Sequence, residues 1–283
     1  MQIGVLKETV QNDARIAISP DSTKKLIKLG YEVVVEKDAG QGPNFSNEDF
    51  EKSGASVQAR DAIYSSDILV KIHAPTQEEL AQIKEGTTVI AMFWPAQNKE
   101  MLEALAQKNL SAISMDSIPR ISRAQKMDVL SSMSNISGYK AVIEASNVFG
   151  RFLGGQITAA GKIPPAKVLI IGAGVAGLSA AGAAGNLGAI VRAFDTRPEV
   201  KEQVESMNAE FLQVLLDEDG SSDDGYAKVM SKEFIEAEMK LFLEQAKEVD
   251  IIITTALIPG RPAPKLITKE MVHAMKQGSV IVD

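Results

Sequence analysis

The 283-residue sequence contains no cysteine and only two histidines, His73 and His273. Without cysteine the chain has no disulfide framework and no thiol chemistry, which fits a reducing compartment without proving one. We expect no metal site.

Excess positive charge is also absent. The chain has 30 Lys and Arg against 37 Asp and Glu, a formal net charge of −7. This balance argues against nucleic acid or an anionic membrane surface as a partner. Hydrophobic residues make up 45% of the chain and charged residues 24%, as in ordinary globular proteins, and the length allows two domains.

The N-terminal stretch MQIGVLKETV lacks the basic start and the apolar centre of a signal peptide and is typical of a strand. Residues 168–191 carry no charge over 24 positions, which is long enough for a membrane helix. This stretch, however, contains six glycines and changes from β-branched to small residues partway along. A strand, a glycine turn and a buried helix explain that change better than a membrane span.

Apolar strand-like runs alternate with amphipathic helix-like runs, a pattern that predicts parallel sheets covered by helices. We predict an α/β protein with two Rossmann-like parallel-sheet domains that have a cleft between them and are joined by connecting helices. The N-terminal domain is expected over 1–136, a connecting helix (Ser137–Phe152) and linker over 137–165, and a nucleotide-binding domain over 166–283. Because the chain stops at the end of a strand, we expect a fragment whose second domain is truncated.

A glycine-rich turn, G-A-G-V-A-G at 172–177, follows a predicted strand and opens a predicted helix. Gly172 makes the tight turn, Gly174 lets backbone amides approach a pyrophosphate, and Gly177 lets the helix pack close to the strand. Val175 and Ala176 complete the predicted contact with the cofactor. The motif alone is weak, but Asp195 ends the next strand, where a carboxylate can bind the adenosine ribose hydroxyls. Together they predict a dinucleotide site.

Asp195 also favours NAD(H) over NADP(H), because a carboxylate at this place repels a 2′-phosphate. Arg197 would argue for NADP(H), but we give the aspartate more weight because it stands at the strand end. Arg197 is then interpreted as a surface residue or a contact on the diphosphate side, and Thr196, between the two, as a cofactor contact. Thr255, Ala256 and Leu257 end a later strand, DIIITTAL, at the sheet edge where nucleotides bind.

The stretch PRISRAQKMDVLSSMSN, residues 119–135, has too few apolar residues for a core helix and many side chains with directional hydrogen bonds. One interpretation is a solvated loop before a helix. The other is a segment lining the predicted cleft, where Arg120, Gln125, Asp128 and Ser131 bind the nicotinamide half of the dinucleotide.

Several segments resemble the NAD(H)-binding domain of the α subunit of proton-translocating NAD(P) transhydrogenases. They include SIPRISRAQKMDVLSSMSNISGYKAV, GQITAAGKIPPAKVLIIGAGVAGLSAAGAAGNLGAIVRAFDTRPEVKEQVESM, GYAKVMS and TTALIPGRPAPKLIT. The resemblance covers essentially the whole chain. In that family the R-x-x-x-x-Q-x-x-D-x-x-S motif, which matches Arg120, Gln125, Asp128 and Ser131, holds one nicotinamide against a second on a partner domain.

The resemblance implies hydride transfer between NAD(H) bound here and NADP(H) on a partner domain or subunit. It also implies coupling to proton translocation by membrane-spanning domains of the same complex, which are not in this chain. The complex would lie in an inner membrane, with this part on the cytoplasmic or matrix side and assembled as a homodimer. For the acidic segment Asp217–Lys228, a solvated surface loop is one interpretation. The resemblance implies a loop that closes over the cofactor through Gly225 and Tyr226, and we favour this second interpretation.

Alanine dehydrogenase is the alternative, because ARIAISP and LVKI resemble its substrate-binding segments at Arg15 and Lys71. That chemistry requires an acid/base, usually histidine, after the strand TTVIAMF, where this sequence has Trp94 and Pro95. Transfer between two nicotinamides requires no proton transfer, so the missing histidine favours transhydrogenation. Arg15 and Lys71 are then expected to form structural ion pairs, and His273 to lie on the surface. His73, next to Lys71, is expected to be merely hydrogen-bonded. A non-catalytic NAD-sensing module is a third possibility.

Overall fold

The computed structural model describes residues 1–214, 220, 228, 230–256 and 263–283. The chain divides into two units, Met1–Asp128 and Val129–Asp283. Within the described ranges no helix is both long and apolar enough to cross a membrane.

The first unit is built on a parallel sheet of six strands in the order β3-β2-β1-β4-β5-β6. Its elements are β1 (Gln2–Val5), α1 (Pro20–Lys28), β2 (Glu32–Glu36), α2 (Asn47–Lys52), β3 (Ser56–Gln58), α3 (Arg60–Ile63), β4 (Ile68–His73), α4 (Gln77–Gln82), β5 (Thr88–Met92), α5 (Lys99–Gln107) and β6 (Ser111–Ser114). A short 3₁₀ turn, Ser122–Met127, follows near its end.

Helix starts in this unit follow local sequence signals. Ser19 caps α1 by accepting a hydrogen bond from the Ser22 amide, and Pro20 occupies the first helical position. The α4 start is a capping box, in which Thr76 and Glu79 each accept a hydrogen bond from the other's backbone amide.

The loop after β5 contains a residue in an uncommon backbone conformation. Trp94 has a φ of 50°, a left-handed value that bulky residues rarely adopt. Asp116 holds this loop by accepting hydrogen bonds from the amides of Phe93 (2.8 Å) and Trp94 (3.2 Å). The Asn98 side-chain amide donates to the Phe93 carbonyl at 2.8 Å. Trp94 is thus fixed at the carboxyl end of β5.

In the second unit, the described residues form a five-stranded parallel sheet in the order β11-β10-β9-β12-β13, and a separate antiparallel hairpin, β7-β8. Its elements are α6 (Val129–Val148), β7 (Gln156–Thr158), β8 (Gly161–Ile163), β9 (Lys167–Ile171), α7 (Val175–Asn186), β10 (Ile190–Phe194), α8 (Lys201–Ser206), β11 (Glu210–Leu212), α9 (Lys232–Glu248), β12 (Ile251–Thr254), α10 (Lys269–Ala274) and β13 (Val280–Val282).

The strand pairing brings three loop residues to one edge of this sheet. Ile171 is paired with Phe194 on one side and with Thr254 on the other. The next residue of each strand is therefore Gly172, Asp195 or Thr255, and all three emerge together at the carboxyl edge. Parallel α/β sheets bind nucleotides at this edge.

Helix α6 differs from its predicted extent. It begins at Val129, eight residues before the predicted start at Ser137. Serines at 131, 132 and 134 made the first two turns resemble a loop, since serine has only modest helix propensity. Packing overrides that preference: a Cβ on Gly138 would lie 2.0 Å from the Ala176 carbonyl oxygen, so α6 and α7 are in close contact.

Candidate dinucleotide-binding site

The turn between β9 and α7 requires glycine at two positions for internal reasons. Gly172 has a φ of 98°, and a Cβ there would lie 2.8 Å from the Thr255 hydroxyl. A Cβ on Gly177 would lie 1.8 Å from the Gly172 carbonyl oxygen, which is impossible without moving the turn. These two glycines therefore build the turn and pack the helix against the strand.

Gly174 is different, because the described part of the chain leaves its surroundings open. It is the N-cap of α7, with φ −74° and ψ −165°, and no side chain caps this helix start. Among the described residues, a Cβ on Gly174 would meet only the Arg197 Nη2 atom, at 3.9 Å. The amides of Val175 and Ala176, in the first turn of α7, belong to the same helix N-terminus, which attracts anions. The open space and the uncapped amides fit a pyrophosphate.

Asp195 and Arg197 form a tightly paired unit beside this helix start. The Asp195 carboxylate accepts hydrogen bonds from the Ala173 amide (2.8 Å), from the Arg197 amide (3.0 Å), and from Nε and Nη2 of Arg197 (both 2.9 Å). The two side chains are 7% and 14% exposed. The bond to Asp195 is the main cause of a raised pKa of Arg197. Arg197 is therefore largely shielded from solvent, and its guanidinium covers the carboxylate that the sequence assigned to the ribose; its predicted contact on the diphosphate side stays a prediction.

A small cavity of about 20 Å³, part of it open to solvent, lies beside Asp195. Thr196, Gln213 and Phe234 are among its lining residues. The Thr196 hydroxyl is buried and has no hydrogen-bond partner among the described residues. A buried hydroxyl without a partner is costly, so it fits a position that a ligand completes.

Glu238 is a buried acid that the sequence did not indicate. It lies on α9 with 7% of its surface exposed. Burial, and then the charge of Asp195, raise the pKa of the Glu238 carboxyl to about 7. Phe234, Glu238 and Phe242 are spaced by four residues, so they form one buried stripe in which an apolar residue is expected at every position.

Thr255 and Ala256 contact the glycine turn itself. The Thr255 hydroxyl donates to the Gly172 carbonyl at 2.9 Å, and the Thr255 amide donates to the Ile171 carbonyl at 2.9 Å. The Ala256 amide nitrogen would lie 3.2 Å from a Cβ on Gly172. The Thr255 hydroxyl is thus used to close the turn. Leu257, Gly225 and Tyr226 lie outside the described residues.

The predicted nicotinamide-binding residues are distributed over both units. Arg120 and Gln125 are exposed, and Asp128 is half-buried directly after the 3₁₀ turn in the first unit. Ser131 is half-buried in the first turn of α6, in the second unit. The described ranges contain no group of His, Cys, Asp and Glu that could hold a metal ion.

Arg15 and Lys71, the residues that resemble the substrate-binding segments of alanine dehydrogenase, are paired with acids of the first unit. Asp13 accepts hydrogen bonds from Arg15 (Nη2, 2.5 Å) and lies 2.7 Å from Nε2 of His73. The Arg15 bond is the main cause of the lowered pKa of Asp13. Lys71 donates to both oxygens of Glu79 at 2.7 and 2.6 Å, with side chains 1% and 3% exposed.

Comparison with known families gives two matches along the chain. Residues 4–137 match the model described as alanine dehydrogenase/PNT, N-terminal domain, and residues 141–283 match the corresponding C-terminal domain.

The chain is similar to relatives named as transhydrogenase subunits and to others named as alanine dehydrogenases. It is 59% identical over 283 residues to NAD(P) transhydrogenase subunit alpha of Haemophilus influenzae, and covers 55% of that protein. It is 31% identical over 289 residues to alanine dehydrogenase 1 of Staphylococcus aureus, covering 72% of it. Both matches cover 100% of this chain.

A solved transhydrogenase structure from Sinorhizobium meliloti matches 99% of the chain and 77% of its own length, with a TM-score of 0.89 and 41% identity. The chain spans about half the length of the first curated relatives. It has the parallel-sheet α/β architecture of that solved structure, and it belongs to the alanine dehydrogenase/PNT family.

Proposed function

We propose that this chain is the NAD(H)-binding component of a proton-translocating NAD(P) transhydrogenase. In this role it passes a hydride between NAD(H) and NADP(H), which is carried by a partner domain or subunit. The observation that carries the proposal is the open, uncapped start of α7 at Gly174 beside Asp195. It occurs in a chain that is 59% identical to a transhydrogenase subunit alpha.

Binding of the adenosine half and the pyrophosphate falls to residues at the carboxyl edge of the second sheet. The amides of the first turn of α7, at Gly174, Val175 and Ala176, would bind the pyrophosphate. Asp195 would accept hydrogen bonds from the ribose hydroxyls once Arg197 releases part of its contact. Thr196 offers its hydroxyl from the cavity beside them.

Arg120, Gln125, Asp128 and Ser131 would hold the nicotinamide half. The cofactor, when bound, supplies the hydride and the ring that accepts or donates it. The residues of the chain need only align that ring with a second nicotinamide and exclude water, which is a positioning task. The exposure of Arg120 and Gln125 leaves both side chains within reach of a ligand and of a partner surface.

An amino-acid dehydrogenase activity is disfavoured by charge. Binding a 2-oxo acid requires a cation for its carboxylate and a cation for its carbonyl. Arg15 is paired with Asp13, and Lys71 with Glu79, so both cations are neutralised by the protein. Breaking the buried Lys71–Glu79 pair would leave an uncompensated buried charge, which typically costs about 3–5 kcal/mol.

A second copy of this chain is the proposed partner for the exposed hairpin β7-β8. All six hairpin-strand residues are exposed, with Ile157 at 78% and Ile163 at 41%, and Phe152 just before them is 55% exposed. A two-stranded hairpin is marginally stable alone, so a partner surface would stabilise it. Sedimentation should give a dimer for the wild type and a monomer for Ile157→Asp; a dimeric Ile157→Asp variant would argue against this interface.

The remaining partners follow from the same proposal. The complex would contain an NADP(H)-binding part and membrane-spanning domains outside this chain, and it would lie in an inner membrane. The present part would be on the cytoplasmic or matrix side.

The test of the function is single-turnover hydride transfer. The chain preloaded with NADH is mixed with a transhydrogenase NADP(H)-binding domain loaded with an NADP⁺ analogue whose reduced form absorbs separately. Appearance of the reduced NADP⁺ analogue in a single turnover supports the proposal. Tight NADH binding without transfer would favour an NAD-sensing module instead, and turnover of pyruvate and ammonia would favour alanine dehydrogenase chemistry.

A further inference from the structure

The preference for NAD(H) has no simple origin in Asp195. An aspartate at this strand end excludes a 2′-phosphate because its charge repels the phosphate. Here both Asp195 oxygens accept hydrogen bonds from Arg197, at 2.9 Å each, so the pair carries no net charge. An arginine beside the 2′-position is, moreover, the residue that NADP(H) sites use. Asp195 with Arg197 would therefore not exclude NADP(H) on its own.

A second carboxylate lies at the same place in the fold. Along α9, Phe242 packs edge-to-face on Phe194, with ring centroids 4.9 Å apart, and Phe194 directly precedes Asp195. One turn beyond Glu238 in the other direction, Phe234 lines the cavity that Asp195 and Thr196 also line. Glu238 lies midway between these two contacts on the same buried stripe, which places it over the end of β10.

The Glu238 side chain is costly for the fold. It is 7% exposed, and it has no hydrogen bond or ion pair to any described residue. A charged group in such a position destabilises the protein unless it has a use elsewhere. Among the described residues, the other acid near Arg197 is Glu199, which is exposed and therefore screened by water and salt. Of the described acids here, Glu238 is thus the one whose charge acts through the protein interior.

We propose that Glu238 is a specificity-determining residue: its buried carboxylate makes the Asp195–Arg197 site net negative and so excludes dinucleotides that carry a 2′-phosphate. The inference rests on the proposed NAD(H) function and deepens it. Glu238 acts through the field at Asp195 and Arg197, and NAD(H), with free ribose hydroxyls, avoids most of the repulsion.

The test compares the dissociation constants of NADH and NADPH, measured by titration of the whole chain at about pH 8, where the Glu238 carboxyl is ionised. In Glu238→Gln, NADPH should bind about tenfold more tightly while NADH changes by less than about threefold, a difference of about 1.4 kcal/mol. Glu238→Asp, which keeps the charge, should still exclude NADPH. Glu236→Gln, on the exposed face of the same helix, should change neither constant.

Three results would overturn the inference while leaving the proposed function intact. The first is an unchanged NADPH-to-NADH ratio in Glu238→Gln. The second is equal weakening of both ligands, which would mean that Glu238 has only a structural role. The third is an equal gain for NADPH in Glu199→Gln, since a buried position would then not be needed. A wild-type chain that binds no NADH would instead overturn the proposed function and this inference with it.

Discussion

Replacing Gly174 by alanine should separate stability from ligand binding. The backbone of Gly174, at φ −74° and ψ −165°, is accessible to alanine, and the nearest atom of the described residues to the new Cβ is 3.9 Å away. A glycine replaced without strain stabilises a protein by about 0.4–1 kcal/mol, because the unfolded chain loses freedom. The methyl group would, however, occupy the space in which a pyrophosphate approaches the amides. We expect NADH to bind at least about tenfold more weakly, a loss of about 1.4 kcal/mol.

Two further glycines of the same region serve as controls. A Cβ on Gly182, inside α7, would lie 3.6 Å from the Met207 sulfur, an ordinary contact. Gly182→Ala should therefore stabilise the helix by about 0.5–1 kcal/mol without changing NADH binding. Gly177→Ala should do the opposite, since its Cβ would lie 1.8 Å from the Gly172 carbonyl oxygen. Overpacking of this kind costs about 1–3 kcal/mol or more.

The assay combines a ligand-free thermal melt with an NADH titration of each variant. NADH should raise the midpoint temperature of the unfolding transition that belongs to the unit binding it. A Gly174→Ala protein that binds NADH like the wild type would refute the assignment of the pyrophosphate to this helix start. A Gly174→Ala protein that melts far below the wild type would refute the claim that the surroundings of Gly174 are open.

Three other substitutions test separate parts of the molecule. The pKa of Glu238 is raised from 4.5 to about 7, so the unfolded chain loses this proton first and the wild type loses stability as the pH rises between those values. Calorimetry should therefore find Glu238→Gln more stable than the wild type by about 2–3 kcal/mol at about pH 8. At about pH 5 the difference should be less than about 1 kcal/mol. An equal gain in stability at the two pH values would contradict the burial argument. Gln125→Asn should slow single-turnover hydride transfer far more than it weakens NADH binding, whereas equal losses would make Gln125 only a cofactor anchor. Glu79→Gln should destabilise the first unit by about 3–5 kcal/mol in urea unfolding, because Lys71 would be buried without its charged partner. The double variant Lys71→Met/Glu79→Leu should recover most of that lost stability.

The glycine turn could be predicted from the sequence because its signals are local. A strand, three glycines at fixed spacing and a helix specify the turn at Gly172, and the register of parallel strands then brings Asp195 and Thr255 to it. The ion pairing of Arg15 and Lys71 was expected, and both have acidic partners, Asp13 and Glu79, that only the folded structure identifies. Nothing in the local pattern indicates which acid a buried lysine finds.

The state of Asp195 and the presence of Glu238 could not be predicted in the same way. Arg197 is two residues from Asp195, but whether it points to solvent or back to the carboxylate depends on side-chain rotamers and burial. Glu238 is 43 positions after Asp195 in the chain, and only the packing of α9 on Phe194 brings it to the site. A glutamate at i+4 from one phenylalanine and i−4 from another is the one signal that sequence inspection could have used.

The start of α6 was missed for a related reason. The polar residues before Ser137 suggested a loop, while the helix is fixed by contacts with α7, including a hydrogen bond from the Ser179 hydroxyl to the Asn135 carbonyl at 2.7 Å. Tertiary packing thus decided a boundary that propensity alone placed eight residues too late.

The fixed loop at Trp94 gives the molecule an optical property. Trp94 is the single tryptophan of the whole chain, and it belongs to the first unit. Asp116 and Asn98 hold its backbone in one conformation, so its emission should have one well-defined spectrum in the folded protein and another after unfolding. NADH, which fluoresces at a longer wavelength, would report on the dinucleotide site, to which both units are proposed to contribute residues. One denaturation series read at two wavelengths can therefore show whether the dinucleotide site is lost before the first unit unfolds or together with it.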